Sequence, residues 1–196
     1  REGVDKTLAL NPDVVTLDID MPIMNGIDAL KEIVRQTSAA VIMVSARTEQ
    51  GAAITLEALA LGAVDFIPKS KGVEQIHEKI LAAAEAKTHK TRSVTARAPA
   101  SARVSPPARA ATGSRLNAKI CIVGSSTGGP QALQTVLSQL PDNLPVPVVV
   151  AQHMPPNFTK ALAQRLNDTC KPKIVEAEDG QALVKGTIYI APGGLQ

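Results

Sequence analysis

Short apolar runs alternate with helical patterns along residues 1–86. The runs predict strands at Val14–Asp18, Ala40–Ser45 and Val64–Ile67. Apolar residues at helical spacing predict helices at the start of the chain, after Asn25-Gly26, from Thr48 to about Leu61 and from Glu74 to Glu85. Because this alternation is typical of a parallel sheet covered on both faces, we predict a doubly wound α/β domain over residues 1–86.

Residues 116–196 repeat the alternation of strands and helices. The pattern predicts a buried strand at 118–124, a helix beginning at Pro130, a strand at 146–152, a helix from Phe158, and strands at Lys173–Glu176 and Thr187–Ala191. We therefore predict a second α/β domain with a doubly wound parallel sheet over residues 116–196.

The charge is concentrated between these two domains. Residues 1–86 carry a net charge of −5, residues 87–115 carry +7 and residues 116–196 carry +1. The middle stretch is rich in Ala, Pro and Arg and has almost no large apolar residue, so it cannot bury enough surface to offset its chain entropy. We predict a flexible basic linker over 87–115, with an electrostatic contact to an acidic partner or nucleic acid as the alternative.

The overall composition excludes some classes of protein. Only three aromatic residues occur, which argues against a single-stranded nucleic-acid platform, and no apolar run is long enough for membrane insertion. Cys121 and Cys170 lack the spacing of a disulfide framework or zinc site, so we expect buried thiols in a cytoplasmic protein. Because Arg1 and Gln196 both fall within or beside predicted elements, we expect a fragment of a longer chain.

A serine lies at the turn between the first strand and helix of the second domain. Gly124, Ser126 and Gly128 fit the pattern G-x-S-x-G, in which small neighbours permit a sharp turn that exposes the serine hydroxyl. The helix amides behind such a turn favour negative charge. Alternatively, Ser126 or Thr127 only caps the helix, or the turn binds a phosphate, although no lysine follows the glycines.

His153 follows the next predicted strand. Consecutive strands of a βαβ unit are often neighbours, about 5 Å apart, so Ser126 and His153 can meet at one edge of the sheet. That is the arrangement that a serine nucleophile and its base require. A purely structural histidine is the alternative.

Three polar side chains follow the predicted strands of the first domain. Asp18, Ser45 and Lys69 lie at or just after carboxyl ends, the edge at which open parallel sheets bind ligands. The trio suits an anion formed on the Asp18 carboxylate, with Ser45 and Lys69 holding its oxygens. Alternatively, Asp18 caps a loop and Lys69 is a surface charge.

The motifs around these three residues resemble the later part of a response-regulator receiver domain, which has a flavodoxin-like fold. They are Leu17–Pro22, Asn25-Gly26, Val44–Ala46 and Asp65–Lys69. The resemblance implies that Asp18 is the phosphoacceptor and that Asp18 and the Asp20 carbonyl help bind Mg²⁺. It also implies that Ser45 and Phe66 form a switch pair and that Lys69 contacts the phosphoryl group. The family's acidic pair, which helps hold Mg²⁺, is expected upstream of Arg1.

The second half resembles the catalytic domain of the chemotaxis protein-glutamate methylesterases, as do the domain order and the linker. The matching stretches are Gly124–Gly129, Ala151–Pro156, Phe158-Thr159, Glu176–Gly180 and Tyr189–Gly193. The resemblance implies that Ser126 is the nucleophile, that His153 is its base, and that Thr127 supports the nucleophile or the oxyanion side. It implies no cofactor for the esterase. The triad Asp is expected beyond Gln196, so the fragment alone is expected to be inactive.

These features predict a two-domain α/β response regulator with an esterase as its output. The resemblance implies hydrolysis of glutamate γ-methyl esters and deamidation of certain glutamines on chemoreceptors, activated when a sensor histidine kinase phosphorylates Asp18. The alternatives are a phosphorylation-gated regulator with a DNA-binding or a nucleotide-binding output domain. The weak charge and strand-rich pattern of residues 116–196 argue against DNA binding.

Overall fold

A computed structural model describes residues 1–45, 49–69, 76–85 and 119–195. The first unit contains a parallel three-stranded sheet in the order β1-β2-β3. Its elements are α1 (Glu2–Leu10), β1 (Val14–Asp18), α2 (Gly26–Gln36), β2 (Ala40–Ser45), α3 (Glu49–Ala60), β3 (Asp65–Pro68) and α4 (76–85). The predicted strands are confirmed to within one residue at each end. The predicted cap at Thr48 and the predicted linker at 87–115 lie outside the described residues.

The start of α2 shows why the chain turns where it does. The Asn25 side chain accepts a hydrogen bond from the Asp28 amide at 2.9 Å, which caps the helix. A Cβ at Gly26 would collide with the backbone oxygen of Asp18, so only glycine allows α2 to begin directly against the end of β1. Leu30 and Ile33 then face the core and are almost completely buried.

The second unit contains a parallel four-stranded sheet in the order β4-β5-β7-β6. Its elements are β4 (Cys121–Ser125), α5 (Gly129–Leu137), β5 (Val148–Gln152), α6 (Phe158–Thr169), β6 (Lys173–Glu176) and β7 (Thr187–Ile190). The two parallel-sheet α/β units confirm the predicted fold class. Among the described residues, no helix is long and apolar enough to cross a bilayer.

The first strand of this unit is not buried, and that prediction is wrong. Ile122 is 71% exposed and Cys121 is also exposed, whereas Cys170 is only partly covered. The reason is the position of β4 at the edge of the sheet, where β5 is its only partner among the described strands. An apolar run therefore marked a strand correctly but gave no information on how its two sides are covered.

The two units pack against each other through α3, α5 and α6. Phe66 on β3 stacks on Phe158 at the start of α6, with ring centroids 4.4 Å apart and planes at 16°. The Gln131 side chain on α5 donates to the carbonyl oxygens of Leu59 at 2.7 Å and Ala63 at 2.9 Å. Most buried apolar residues of the two units belong to one continuous cluster, and a second, smaller cluster contains Ala40, Ile42, Ile67 and Ala83 of the first unit.

Candidate active site

The candidate nucleophile lies on the turn between β4 and α5. Ser125 ends the strand, Ser126 follows it and is exposed, and α5 begins at Gly129. Gly128 has a φ of 74°, a left-handed conformation that favours glycine. This is the strand–turn–helix context that the serine motif requires, with the amino end of a helix directly behind the serine.

The candidate base follows the neighbouring strand. β4 and β5 are paired in parallel with Ser125 opposite Gln152, and the His153 amide donates to the Ser125 carbonyl at 2.9 Å. His153 is exposed and, with Ser125, lines a cleft of about 480 Å³. The structure thus brings the serine turn and His153 to the same sheet edge, as expected. The roles of Ser126 as nucleophile and of His153 as its base remain predictions.

The Gln152 side chain links the serine turn to β5. It is only 2% exposed, its Oε1 accepts a hydrogen bond from the Ser125 hydroxyl at 2.6 Å, and its Nε2 donates to the Ser126 carbonyl at 2.9 Å. A Cβ at Gly129 would collide with the Gln152 amide, so the glycine provides the space that the amide occupies. The buried amide is therefore hydrogen-bonded to both serines of the turn.

A second network holds the loop that follows His153. Thr159 is fully buried, and its hydroxyl donates to Glu176 Oε1 at 2.6 Å and accepts from the Gly193 amide at 2.9 Å. A Cβ at Gly193 would lie 2.5 Å from the Pro155 carbonyl oxygen, so the two loops approach closely. The wall of the cleft beside His153 is thereby fixed to both β6 and α6.

Residues of the first unit close the opposite side of the same cleft. Phe66, Pro68 and Lys79 line it. The Thr127 hydroxyl donates to Asp65 Oδ2 at 2.8 Å, and Lys79 Nζ contacts that same oxygen at 2.7 Å. Thr127, which follows the candidate nucleophile, is therefore held by the first unit. Its support of the nucleophile or of the oxyanion side remains a prediction.

The candidate phosphoacceptor lies at the carboxyl end of β1. Asp18 Oδ2 is 2.9 Å from Lys69 Nζ, and Asp18 Oδ1 accepts from the Asp20 amide at 3.1 Å. The hydrogen bond with Asp18 is the main cause of a raised pKa for Lys69. The structure thus brings Asp18 and Lys69 together, and their roles in phosphorylation remain predictions.

The two residues of the predicted switch pair make different contacts. Ser45 is completely buried, and its hydroxyl oxygen accepts from Thr55 Oγ1 on α3 at 2.7 Å. Phe66 is stacked on Phe158 of the second unit, with Lys79 Nζ 5.6 Å from the Phe66 ring centroid. Phe66 therefore connects the first unit directly to the second, and the switch role of both residues remains a prediction.

The residues implied as Mg²⁺ ligands have suitable chemistry. Asp18 offers a half-exposed carboxylate and Asp20 a backbone carbonyl, and Mg²⁺ prefers oxygen ligands and retains several waters. The described ranges contain no cluster of three or more His, Cys, Asp or Glu residues that could hold a metal. Of the described residues, Asp18 would thus supply one carboxylate and Asp20 one carbonyl to Mg²⁺ bound here.

Two family models match the two units. Residues 1–81 match the response regulator receiver domain, and residues 121–196 match CheB methylesterase. Residues 121–196 are a CheB methylesterase domain, and residues 1–81 are part of a response regulator receiver domain. The match agrees with the esterase interpretation and disfavours the DNA-binding and nucleotide-binding alternatives for the second unit.

Relatives of the CheB methylesterase family align with the whole chain. The protein-glutamate methylesterase/protein-glutamine glutaminase of Thermotoga maritima is 46% identical over 197 residues, which cover 98% of this chain and 56% of that protein. The protein of the same name from Geobacillus kaustophilus is 44% identical over 204 residues, which cover 100% of this chain and 57% of that protein. The chain thus spans little more than half the length of these relatives.

Solved structures similar to each unit include two from Thermotoga maritima CheB. Its methylesterase catalytic domain is 52% identical, with a TM-score of 0.38, and the match covers 40% of this chain and 41% of that chain. Its response regulator domain is 46% identical, with a TM-score of 0.38, and the match covers 45% of this chain and 69% of that chain.

The sequence did not single out two residues whose side chains bond to the serine turn. Gln152 is a polar residue at the end of an apolar strand, and only its hydrogen-bond partners in the turn identify it as a buried amide. Asp65 bonds to Thr127 only because the receiver domain packs on the methylesterase domain, so no local pattern could have revealed it.

Proposed function

We propose that this chain is part of a phosphorylation-activated esterase for chemotactic adaptation. It hydrolyses glutamate γ-methyl esters, and deamidates certain glutamines, on the cytoplasmic helices of methyl-accepting chemoreceptors. The observation that carries this proposal is the exposed Ser126 turn beside His153, at one edge of a sheet in a domain of the CheB methylesterase family. The names of the relatives that align with the whole chain support both activities. The protein acts in the cytoplasm, and neither Cys121 nor Cys170 forms a disulfide.

The proposed reaction needs no cofactor at the cleft. Ser126 Oγ attacks the ester or amide carbonyl carbon while His153 takes the hydroxyl proton. The resulting oxyanion is stabilised near the amino end of α5, and collapse releases methanol or ammonia with the proton returned from His153. Water then attacks the acyl-serine in the same way, which releases glutamate and restores Ser126.

Regulation follows from the residues that line the cleft. Because Phe66, Pro68 and Lys79 of the receiver domain line the same cleft as Ser125 and His153, the unphosphorylated receiver obstructs access of a receptor helix. Transfer of a phosphoryl group from a sensor histidine kinase to Asp18 weakens this packing. Asp18 and the Asp20 carbonyl would hold the Mg²⁺ that offsets phosphoryl charge during the transfer. Lys69 neutralises charge on the phosphoryl group, since it already contacts Asp18.

The test is methanol release from methylated receptor membranes by the complete protein. Ser126→Ala removes the attacking oxygen and should lower turnover by several orders of magnitude. Ser125→Ala is the matched control on the same turn and should cost far less. A Ser126→Ala enzyme with near-normal turnover would refute the esterase assignment.

A further inference from the structure

The Gln152 amide fixes the direction of the peptide bond after Ser126. The Ser126 carbonyl oxygen accepts two hydrogen bonds, from Gln152 Nε2 at 2.9 Å and from the Gly129 amide at 2.8 Å. In a planar trans peptide, the N–H points opposite to the C=O. The Thr127 N–H therefore points away from the buried amide, toward the open side of the turn. Within the described ranges, no acceptor bonds to this N–H.

The orientation of the Gln152 amide itself is determined by its partners. The Ser126 carbonyl can only accept, so Nε2 must face it, and the Ser125 hydroxyl then donates to Oε1 at 2.6 Å. Gly129 leaves the space for this arrangement, because a Cβ there would collide with the amide. At 2% exposure, the Gln152 side chain is nearly sealed from water, which would otherwise compete for these bonds.

We propose that Gln152 is a positioning residue for the esterase reaction. It holds the peptide between Ser126 and Thr127 so that the Thr127 N–H donates to the oxyanion formed when Ser126 attacks the substrate carbonyl. The amide that follows the nucleophile is well placed for this, since such an N–H costs no reorganisation during the reaction. This inference rests on the proposed function, because it assigns a role in that same reaction.

Two variants test the two hydrogen bonds of the Gln152 side-chain amide one at a time. Gln152→Glu keeps an acceptor for the Ser125 hydroxyl but removes the donor to the Ser126 carbonyl and places a carboxylate against it. Ser125→Ala removes the other bond and leaves the donor in place. Because loss of one oxyanion donor lowers kcat by about 10²- to 10³-fold, we expect a loss of that size for Gln152→Glu, with KM changed by less than about threefold. Ser125→Ala should stay within about tenfold of the parent.

A second measurement distinguishes positioning from a loss of folding. A boronic acid that mimics the tetrahedral intermediate on Ser126 should lose affinity for Gln152→Glu in proportion to the loss in kcat/KM. Gln152→Met, which has a similar volume and no donor, should behave in the same way without the added charge. Val150→Ala, a buried change on the same strand, is the control for lower stability and should keep parental kcat and boronate affinity.

The outcomes separate this inference from the proposed function. If Ser126→Ala is inactive but Gln152→Glu and Gln152→Met keep kcat within about threefold of the parent, only the positioning role is overturned. The same holds if their kcat falls while boronate affinity is unchanged. If Ser126→Ala retains near-normal turnover, the esterase assignment itself fails.

Discussion

The docking of the receiver on the methylesterase domain can be weakened at a residue away from the chemistry. Gln131 on α5 donates to the carbonyls of Leu59 and Ala63 across the two domains, at 2.7 and 2.9 Å. A typical hydrogen bond contributes about 0.5–1.5 kcal/mol net, so Gln131→Ala should weaken docking by about 1–3 kcal/mol. Because about 1.4 kcal/mol corresponds to a factor of ten, the fraction of molecules with an open cleft should rise about 5- to 150-fold.

The assay is methanol release by the complete protein, with and without a small-molecule phosphodonor. Basal turnover of Gln131→Ala should rise by that factor, limited by the rate of the phosphorylated parent, and the stimulation by phosphodonor should shrink by the same factor. The matched control is Gln134→Ala, one turn along α5, because Gln134 accepts from Thr169 at 3.1 Å inside the methylesterase domain. Equal basal rates for the two variants would refute the role of the Gln131 bonds in closing the cleft.

Two further predictions concern the phosphoacceptor and the core. Asp18→Asn should abolish the stimulation by phosphodonor and Mg²⁺ but keep basal turnover, because Asp18 is proposed to control access to the cleft and takes no part in ester hydrolysis. Loss of basal turnover as well would contradict the proposed regulation. Leu162→Ala removes a side chain that is 2% exposed and should lower the free energy of unfolding by about 2–5 kcal/mol in denaturant titrations. Leu183→Ala, at a position 43% exposed, should change the free energy of unfolding by less than about 0.5 kcal/mol. Equal losses of unfolding free energy in the two variants would contradict the packing described.

Local patterns were sufficient to predict most of the elements and the Asp18–Lys69 contact. Strand and helix periods are carried by neighbouring residues, and parallel strands bring their carboxyl ends to one edge, which is where Asp18 and Lys69 meet. The same reasoning placed His153 next to the serine turn. These predictions succeed because periodicity is carried by residues close in sequence, and because few arrangements of consecutive parallel strands are possible.

The features that the sequence analysis missed depend on how whole elements are arranged. The exposure of Ile122 follows from the edge position of β4, which the apolar run itself does not encode. The bonds of Asp65 to Thr127 and of Gln131 to α3 form only when the two domains pack together. Gln152 was missed for a different reason, because a buried amide gives no periodic signal and is recognised only through its partners.

The stacking of Phe66 on Phe158 has a consequence for the modularity of this protein. Each ring is almost completely buried, and each is covered in part by the other domain. A chimera that carries a foreign receiver without a flat ring at position 66 would leave Phe158 exposed to solvent and would lose the pairing that aligns the two domains. The receiver and its output domain are therefore not interchangeable parts, and a substitution on one side of this contact constrains which substitutions the other side can accept during divergence.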